Sequence, residues 1–428
     1  MTLTLRGHVA LPSHAVGGFD HGDVHLASGR VFVAHTANGT VDVLDGERLA
    51  YERSVAGCPE ASGVLCAQDD GGLVFAASRG GGKVLVIDPA SCAVLREIPV
   101  GPKPNGLAWD PGRRRLLAAD VEEWTARLVD PSTGASLPPA DLPGRPRWCT
   151  YEAGQDRFLI NVRDPACIAV LAADTLAELG RMPVAAAGPH GLDVDLQRGR
   201  AFVACDAGVV VVLDLQTTHE VARVPIAGEP DVVWYSAAHD RLYVAVAQPG
   251  VIDILDCREL SLADRIATEA GAHTTAYDAR RQRLYVFLPA SCRAAVFSEA
   301  EGDRALGGQW PRHDLGQRQG EPIRFLGHRA SALDQVAMHV PDQRDRSAEA
   351  DRPEPEEVVD QRAQALAGRG HGRRGGFGRE RFTQRLRRVR RRHARRHAYS
   401  IPPRPAALPV RPPPDGMLLR YLAACNQR

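Results

Sequence analysis

The sequence predicts an all-β protein: a seven-bladed β-propeller over residues 1–300, closed by its N-terminal strand and followed by a disordered Arg/Pro-rich tail. Three observations predict it. Seven similar segments recur at a spacing in the low forties, each holds two short apolar strands separated by a turn, and the pattern stops near residue 300. Repeats of this length that are rich in strands and punctuated by turns are typical of propeller blades.

The repeats align on the residue before the first apolar strand of each segment. These anchors follow one another at intervals of 43, 42, 42, 43, 41 and 42 residues. They are Arg30, Leu73, Arg115, Arg157, Arg200, Arg241 and Arg283. The near-constant interval predicts seven blades of equal size around one axis.

The segment 189–228 shows the strands of one blade. It predicts strand A at GLDVD, B at RAFVAC, C at VVVVLDL and D at HEVARVPIAG. Val, Ile, Phe and Tyr dominate B and C across the repeats, as buried strands require. Blade seven lacks a fourth strand after Ser298, and LTLRGHVALP at 3–12 has the pattern of strand D. The N-terminal strand is therefore expected to complete blade seven, which removes an exposed edge.

An aspartate usually ends strand C, and we interpret it as a cap of the following turn. The aspartates are Asp45, Asp88, Asp130, Asp214 and Asp256. The fourth repeat has Ala172 at this position and Asp174 two residues later, so its turn is expected to differ.

The repeats resemble the YVTN-type seven-bladed propellers, whose units carry a Y-V-x-N-like B strand and an apolar C strand ending in Asp. RLYVAVAQPGVIDILD and KVLVIDPASCAVLREIPVGPKPNGLAWD look like that repeat. The resemblance covers about 300 residues. It implies the propeller fold and says little of function.

Candidate site residues lie where the seven A strands begin, because propeller ligands usually bind at the channel mouth. Ten residues before each anchor the chain has polar or ionisable side chains in six blades of seven. These positions are Asp20, Gly63, Asn105, Arg147, His190, Asp231 and His273, with His21 and Glu60 close by. The predicted ligand-binding set is Asp20, His21, Glu60, Asn105, Arg147, His190, Asp231 and His273.

The ends of the B strands should lie beside the starts of the A strands and supply supporting residues. His35, Asp120 and Asp206 occupy or adjoin these ends. Expected pairs are Asp206 with His190, Asp120 with Asn105, and His35 with Asp20. A carboxylate beside an imidazole orients a histidine for metal binding or proton transfer.

Two functions remain open for this mouth. The first is binding of a small ligand or a protein partner by a non-enzymatic propeller. The second is a metal-dependent hydrolase or lyase using Ca, Mg, Mn or Zn, in which Asn105, His190, Asp231 and His273 would hold the ion. In this second case Arg147 would be the clamp for a carboxylate or phosphate group of the substrate. The residues Pro104-Asn105-Gly106-Leu107 resemble an element of the gluconolactonase and senescence-marker-type propellers, which implies a metal-binding role for Asn105 in a lactonase-like enzyme.

Solvation of a wet channel is the simpler explanation for these polar residues. The aromatic residues of the A strands are expected to pack between blades rather than stack on a ligand. They are Trp109, Tyr151, Trp234, Tyr235 and Tyr277. The sequence has no nucleophile elbow, phosphate-binding loop or zinc-protease motif.

Composition sets the remaining expectations. The nine cysteines include no C-x-x-C pair, so neither disulfides nor zinc is indicated. The N-terminus has no apolar signal region and no run of residues is long enough to span a bilayer, so a cytoplasmic monomer without membrane contact is expected, unless the true start lies upstream.

The tail, residues 301–428, holds 26 of the 53 basic residues but only 15 of the 52 acidic ones. All 26 are arginine. Disorder is expected because this composition buries little apolar surface. A nucleic-acid-binding arm, a solvated tail and a translated off-frame GC-rich stretch are the alternatives, and nucleic-acid binding is the least favoured.

Overall fold

The computed structural model describes residues 3–15, 17–69 and 72–299, and these form 28 β-strands without a helix. The tail predictions for residues 301–428 lie outside the described residues. The strands form seven four-stranded antiparallel sheets. The prediction of a seven-bladed propeller is confirmed.

The strands are assigned to blades in chain order. Blade one has β2 (Gly22–His25), β3 (Arg30–His35), β4 (Thr40–Asp45) and β5 (Ala50–Val55). Blade two has β6 (Ala61–Cys66), β7 (Val74–Ser78), β8 (Lys83–Ile87) and β9 (Val94–Pro99). Blade three has β10 (Pro104–Asp110), β11 (Arg115–Asp120), β12 (Thr125–Val129) and β13 (Ala140–Asp141). Blade four has β14 (Pro146–Glu152), β15 (Arg157–Val162), β16 (Cys167–Ala172) and β17 (Glu178–Pro183).

The last three blades follow the same order. Blade five has β18 (Pro189–Asp195), β19 (Arg200–Cys205), β20 (Val209–Asp214) and β21 (Glu220–Pro225). Blade six has β22 (Pro230–Ser236), β23 (Arg241–Val246), β24 (Val251–Asp256) and β25 (Ser261–Ala267). Blade seven has β26 (Thr274–Asp278), β27 (Arg283–Leu288), β28 (Arg293–Glu299) and β1 (Leu3–Ala10).

The N-terminal strand closes the ring, as expected. Strand β1 pairs antiparallel with β28, from Leu3 opposite Glu299 to Ala10 opposite Arg293. Leu3 and Val9 point into the core, whereas Leu5 is exposed. The last blade thus gains its outer strand from the opposite end of the chain, and its edge is covered.

The core is divided among the gaps between blades. Among the described residues there are seven hydrophobic clusters, and each combines side chains of two neighbouring blades. The middle strands are therefore buried on both faces, which explains their continuous apolar runs. Phe75 of β7 and Trp109 of β10, for example, stack across one such gap with ring centres 5.1 Å apart.

In five of the seven blades an aspartate at the end of the third strand caps the turn that follows, as interpreted. Asp214 Oδ1 accepts hydrogen bonds from the backbone N–H groups of Gln216 and Thr217 at 3.0 and 2.6 Å. Blade four keeps the backbone turn without this cap, because the N–H of Leu176 still donates to the carbonyl of Ala172 at 3.0 Å. The turn there differs in its side-chain cap and not in its backbone bond.

Candidate functional site

Four of the predicted site residues are presented by β-bulges at the start of the innermost strands. Each of the strands β10, β14, β18 and β22 begins with a proline, and its register with the next strand shifts between that proline and the residue three positions later. The residue directly after that proline is Asn105, Arg147, His190 or Asp231. Because a bulge re-aims the side chain of the residue it contains, all four can face the channel while the strand beyond packs normally.

These side chains surround a polar cavity of about 210 Å³ at the channel mouth. Six predicted residues line it together with two that the prediction missed. The lining residues are Asp20, His21, Arg79, Asn105, Arg147, Trp148, His190 and Asp231. Blade two contributes no side chain from the corresponding bulge of β6, because Ser62 is buried there and its hydroxyl donates to the carbonyl oxygens of Ala77 and Pro104 at 3.2 and 3.0 Å.

One side of the cavity is organised by Arg79, which lies in the turn after β7. Its Nη2 donates to Asp20 Oδ2 at 2.7 Å, and its Nη1 donates to Asn105 Oδ1 at 3.2 Å. His21 Nε2 lies 3.3 Å from the other oxygen of Asp20. Burial lowers the pKa of His21 more than the neighbouring aspartates raise it, so this imidazole is neutral near pH 7.

The opposite side is organised by His190. Its Nδ1 donates to Asp206 Oδ1 at 2.9 Å, and its Nε2 lies 3.1 Å from Asp231 Oδ1. Burial opposes the charge, but attraction to Asp231 and hydrogen bonds to both carboxylates outweigh it and raise the pKa of His190 to about 9. The predicted pair of His190 and Asp206 therefore forms, as an ion pair with the ring protonated on both nitrogens.

Arg147 also lines this cavity, beside the groups organised by Arg79 and His190. Its guanidinium forms no hydrogen bond or ion pair with any residue that the structure describes, and its Nε is buried without an acceptor. Burial lowers the pKa of Arg147, while the charges of Asp231, Asp206 and Asp20 counteract this effect. The cavity thus contains one guanidinium whose hydrogen-bonding capacity is unused.

Two predicted residues lie away from the cavity lining. Glu60 is half exposed, and its Oε2 accepts from Lys103 Nζ at 2.8 Å. His273 sits at the rim, where Nδ1 donates to the carbonyl of Gly271 at 2.8 Å and Nε2 lies 3.8 Å from Asp231 Oδ2. Glu60 directly precedes β6, and His273 directly precedes β26. Their side chains are therefore positioned by loops and not by a bulge within a strand.

Two expected supporting pairs do not form. His35 does not pair with Asp20, because its Nδ1 donates to Asp42 Oδ2 at 2.7 Å in the gap beside Phe19. Asp120 does not pair with Asn105, because its carboxylate accepts the backbone N–H groups of Lys103, Glu122 and Glu123 at 2.5, 2.9 and 2.7 Å. A nearer acceptor, the carboxylate of Asp42, binds the ring of His35, and nearer donors, the backbone N–H groups, bind the carboxylate of Asp120.

The residues expected to hold a metal ion interact with other protein groups in this structure. Among the described residues, no three His, Cys, Asp or Glu side chains are arranged to hold an ion. His190 has both ring nitrogens bonded to carboxylates, and Asn105 Oδ1 accepts from Arg79. A cation at this place would also meet the positive charges of Arg79 and Arg147. These residues therefore suit an anion better than a cation.

A larger chamber of about 660 Å³ occupies the channel beyond this cavity. His21 and Trp148 border both spaces, and their rings lie 4.4 Å apart between centres. The predicted inter-blade aromatics face this chamber as well as the core. Trp109, Tyr151, Trp234, Tyr235 and Tyr277 all line it. Asp23 and Asp193 are its other notable residues.

The two aspartates of the larger chamber are held by backbone N–H groups. Asp23 accepts from Cys66 at 2.8 Å, and Asp193 accepts from Tyr235 at 2.7 Å, each on the next blade. Burial raises the pKa of Asp23 to about 7 and that of Asp193 to about 6. Neither aspartate forms an ion pair with a described residue, so their charges are poorly compensated.

The residues that sequence reasoning missed had a usable signal. Arg79 stands six residues after the anchor Leu73, at the same repeat position as Asp206 after Arg200. Trp148 directly follows Arg147, and Asp23 and Asp193 both stand seven residues before their anchors. Comparing every repeat position, and not only the strand starts, would have found all four.

Comparison with known proteins supports the fold. A scan against models of known families and a search of curated protein sequences found no match. Among solved structures, 1751 chains match, and one is the Kuenenia stuttgartiensis hydrazine synthase. The match to that enzyme has a TM-score of 0.60 at 14% identity and covers 68% of this chain and 97% of the other. At this identity the likeness supports a β-propeller and carries no function. None of the described residues belongs to a helix that could cross a bilayer.

Proposed function

We propose that this propeller, which we further assign to the YVTN-type group, binds a small anionic molecule in the polar cavity at its channel mouth. The single observation that carries the proposal is the guanidinium of Arg147, which pairs with no residue in the described part of the chain and whose Nε is buried without an acceptor. A carboxylate or phosphate matches the paired N–H groups of arginine in geometry and in charge.

The surroundings of Arg147 support an anion. Arg79 adds a second positive charge and His190 a third, against the negative charges of Asp20 and Asp231 on the same lining. The lining therefore carries about one net positive charge at neutral pH. Asp206, behind His190, is balanced by Arg163, whose Nη2 lies 2.7 Å from Asp206 Oδ2.

The size of the cavity limits the ligand. Its 210 Å³ is below the roughly 300–1,000 Å³ of pockets that enclose drug-sized molecules. A small carboxylate or phosphate compound fits this space, and a bulky one does not. A folded protein partner would have to bind at the rim, near His273, rather than inside.

The metal-dependent hydrolase remains an alternative prediction, and the geometry makes one demand of it. His190 would have to release Asp206 or Asp231 before a ring nitrogen could bind an ion. Binding an ion would therefore break interactions with the carboxylates that raise the pKa of His190. The anion-binding role needs no such rearrangement.

Thermal unfolding with separate additions of inorganic phosphate, succinate and citrate tests the proposal. We expect at least one of these anions to stabilise the protein by mass action and Arg147→Met to abolish that stabilisation. Arg48→Met is the matched control, because Arg48 is exposed on the outer turn of blade one. Equal stabilisation of the Arg147 variant, or none of the wild type across a broader set of small anions, would contradict the proposal.

A second arm addresses the hydrolase alternative. Calcium, magnesium, manganese and zinc are added in turn, with and without a chelator. Stabilisation by one ion that is lost in His190→Ala would favour the enzyme over the anion-binding protein. Indifference to all four ions, together with an anion response, would favour the proposed binding function.

A further inference from the structure

A second cluster of reactive side chains lies at the same end of the propeller, outside the cavity. Cys292 occupies the turn between β27 and β28, and His14 lies in the segment after β1. Cys292 Sγ is 3.7 Å from His14 Nδ1 and 4.0 Å from His14 Nε2. Closure of the ring by β1 brings these two residues, which are 278 positions apart, into contact.

Cys292 differs from the other cysteines in its environment. Seven of the eight cysteines that the structure describes are buried, and Cys292 alone among them is half-buried. Burial raises the pKa values of several of the buried thiols, Cys58 to about 11 and Cys205 to about 12 among them. Those thiols are protonated and inaccessible, which makes them inert.

A hydrogen-bonded chain runs from His14 into the protein. His14 Nδ1 and His35 Nε2 are 2.7 Å apart, and His35 Nδ1 donates to Asp42 Oδ2 at 2.7 Å. His35 and Asp42 are both completely buried. The order of groups is therefore thiol, imidazole, imidazole and carboxylate.

The carboxylate of Asp42 determines which ring nitrogens of His35 and His14 carry a proton. Asp42 also accepts hydrogen bonds from the hydroxyls of Thr40 and Ser54 at 3.0 and 2.6 Å, so all three of its partners donate. His35 must then carry its proton on Nδ1, and its Nε2 is free to accept from His14 Nδ1. With that tautomer, the free electron pair of His14 is on Nε2, the nitrogen 4.0 Å from the sulfur.

The position of His14 is maintained by packing. Its ring contacts His35 and Phe19 edge to face, with centres 4.9 and 5.6 Å apart. Asn38 Nδ2 donates to the carbonyl of Ser13, the residue before His14, at 3.3 Å. The backbone N–H of Leu11 donates to the carbonyl of Cys292 at 2.9 Å, which ties the turn to the N-terminal segment.

We propose that Cys292 is a reactive thiol, a modification site for small soft electrophiles, with His14 as its base and with His35 and Asp42 as positioning residues. In the reaction the S–H bond breaks and the proton passes to His14 Nε2. With the probe iodoacetamide, the sulfur electron pair then forms a C–S bond while the C–I bond breaks and iodide leaves. The activation is that of a thiol beside an oriented imidazole.

The test is peptide-resolved mass spectrometry of iodoacetamide labelling in the full chain. Cys425→Ser serves as the background, since Cys425 lies outside the described residues. We expect Cys292 to react at pH 7 at least tenfold faster than free cysteine, while the seven buried cysteines stay unlabelled. A rate no greater than that of free cysteine would overturn the proposal without any further variant.

Variants test the role of the imidazole. His14→Gln should slow labelling of Cys292 about tenfold and move the rise of its pH–rate profile to higher pH. His35→Gln should move the pH–rate profile in the same direction. If the unfolding temperature of this variant is unchanged, such a shift cannot be explained by a purely structural role of His35. His8→Gln is the matched control, because His8 is exposed on β1. An unchanged profile in His14→Gln would overturn the assignment of the base.

Discussion

His190 and Asp231 form an ion pair in the channel mouth, with His190 Nε2 3.1 Å from Asp231 Oδ1. They lie on neighbouring blades and both occupy bulges that follow a proline. The pair lowers the pKa of Asp231 despite burial and raises that of His190 to about 9. Its contribution to stability must therefore depend on pH.

The sign follows from the raised pKa of the histidine. The folded state binds the His190 proton more tightly than the unfolded state, so the stabilisation is complete below about pH 6.5 and is lost as the pH rises through about 9. We expect His190→Gln to lower the free energy of unfolding by about 2 kcal/mol at pH 6 and by much less at pH 10. Urea denaturation at the two pH values measures it. His219→Gln, at an exposed turn, should show no such difference; a loss in His190→Gln that is equal at both pH values would show that the ion pair is not the cause.

The contribution of Asp23 to stability should also fall as the pH rises, but in a lower pH range. Burial raises the pKa of this carboxyl to about 7, and the facing Asp193 adds to the shift, so its contribution is most favourable below about pH 3.8 and is lost as the pH rises through 7. As the pH rises from 5 to 8, the free energy of unfolding of the wild type should fall by about 1–2 kcal/mol more than that of Asp23→Asn. Asp130→Asn is the control, because hydrogen bonds lower the pKa of Asp130 and it stays ionised throughout. If both variants changed alike, the carboxyl of Asp23 would not be titrating in this range.

The uncapped turn of blade four offers a stabilising substitution. Ala172→Asn would place a side-chain oxygen where Asp214 accepts two backbone N–H groups in blade five, and Asn avoids repulsion by Asp174. We expect a gain of about 0.5–1 kcal/mol in the free energy of unfolding. Asp214→Ala should lose a similar amount, as measured by the same denaturation experiment. A loss of stability in Ala172→Asn would mean that this turn cannot present its N–H groups to the side chain.

Closure of the ring predicts a contrast within one strand. Val9 is 2% exposed and Leu5 is 48% exposed, although both belong to β1. Val9→Asp should cost at least about 3 kcal/mol, since it buries an unpaired charge between blades seven and one. Leu5→Asp should change stability by less than about 1 kcal/mol. Chemical denaturation compares the two, and similar losses would indicate that β1 does not seal the ring in solution.

The strand pattern was predictable because it depends on local periodicity. Six of the seven anchor residues begin the second strand of their blade, and Leu73 stands one residue before β7. The turn aspartates were predictable for the same reason, since their partners are two and three residues away. The cavity residues followed from combining the repeat with the rule that inner strands converge on one axis.

The pairing of these residues was less predictable. His35 and Asp120 occupy the expected repeat positions, yet Asp42 and the backbone near Lys103 bind them instead. Arg79 reaches Asp20 from a turn 59 positions away in the chain. Such contacts depend on the length of each side chain and on which hydrogen-bond partner is nearest in space. The spacing of the repeats gives no information on either.

The amino-acid order by itself determined the number of blades, the approximate places of the strands and six of the eight residues that line the cavity at the channel mouth, because each depends on a periodicity that neighbouring residues express locally. Only the tertiary structure decided which of those residues share a proton or a salt bridge, that Arg147 pairs with none of the described residues, and that Cys292 contacts His14. These outcomes require distances between distant segments. The closed ring sets those distances by packing every blade between two others.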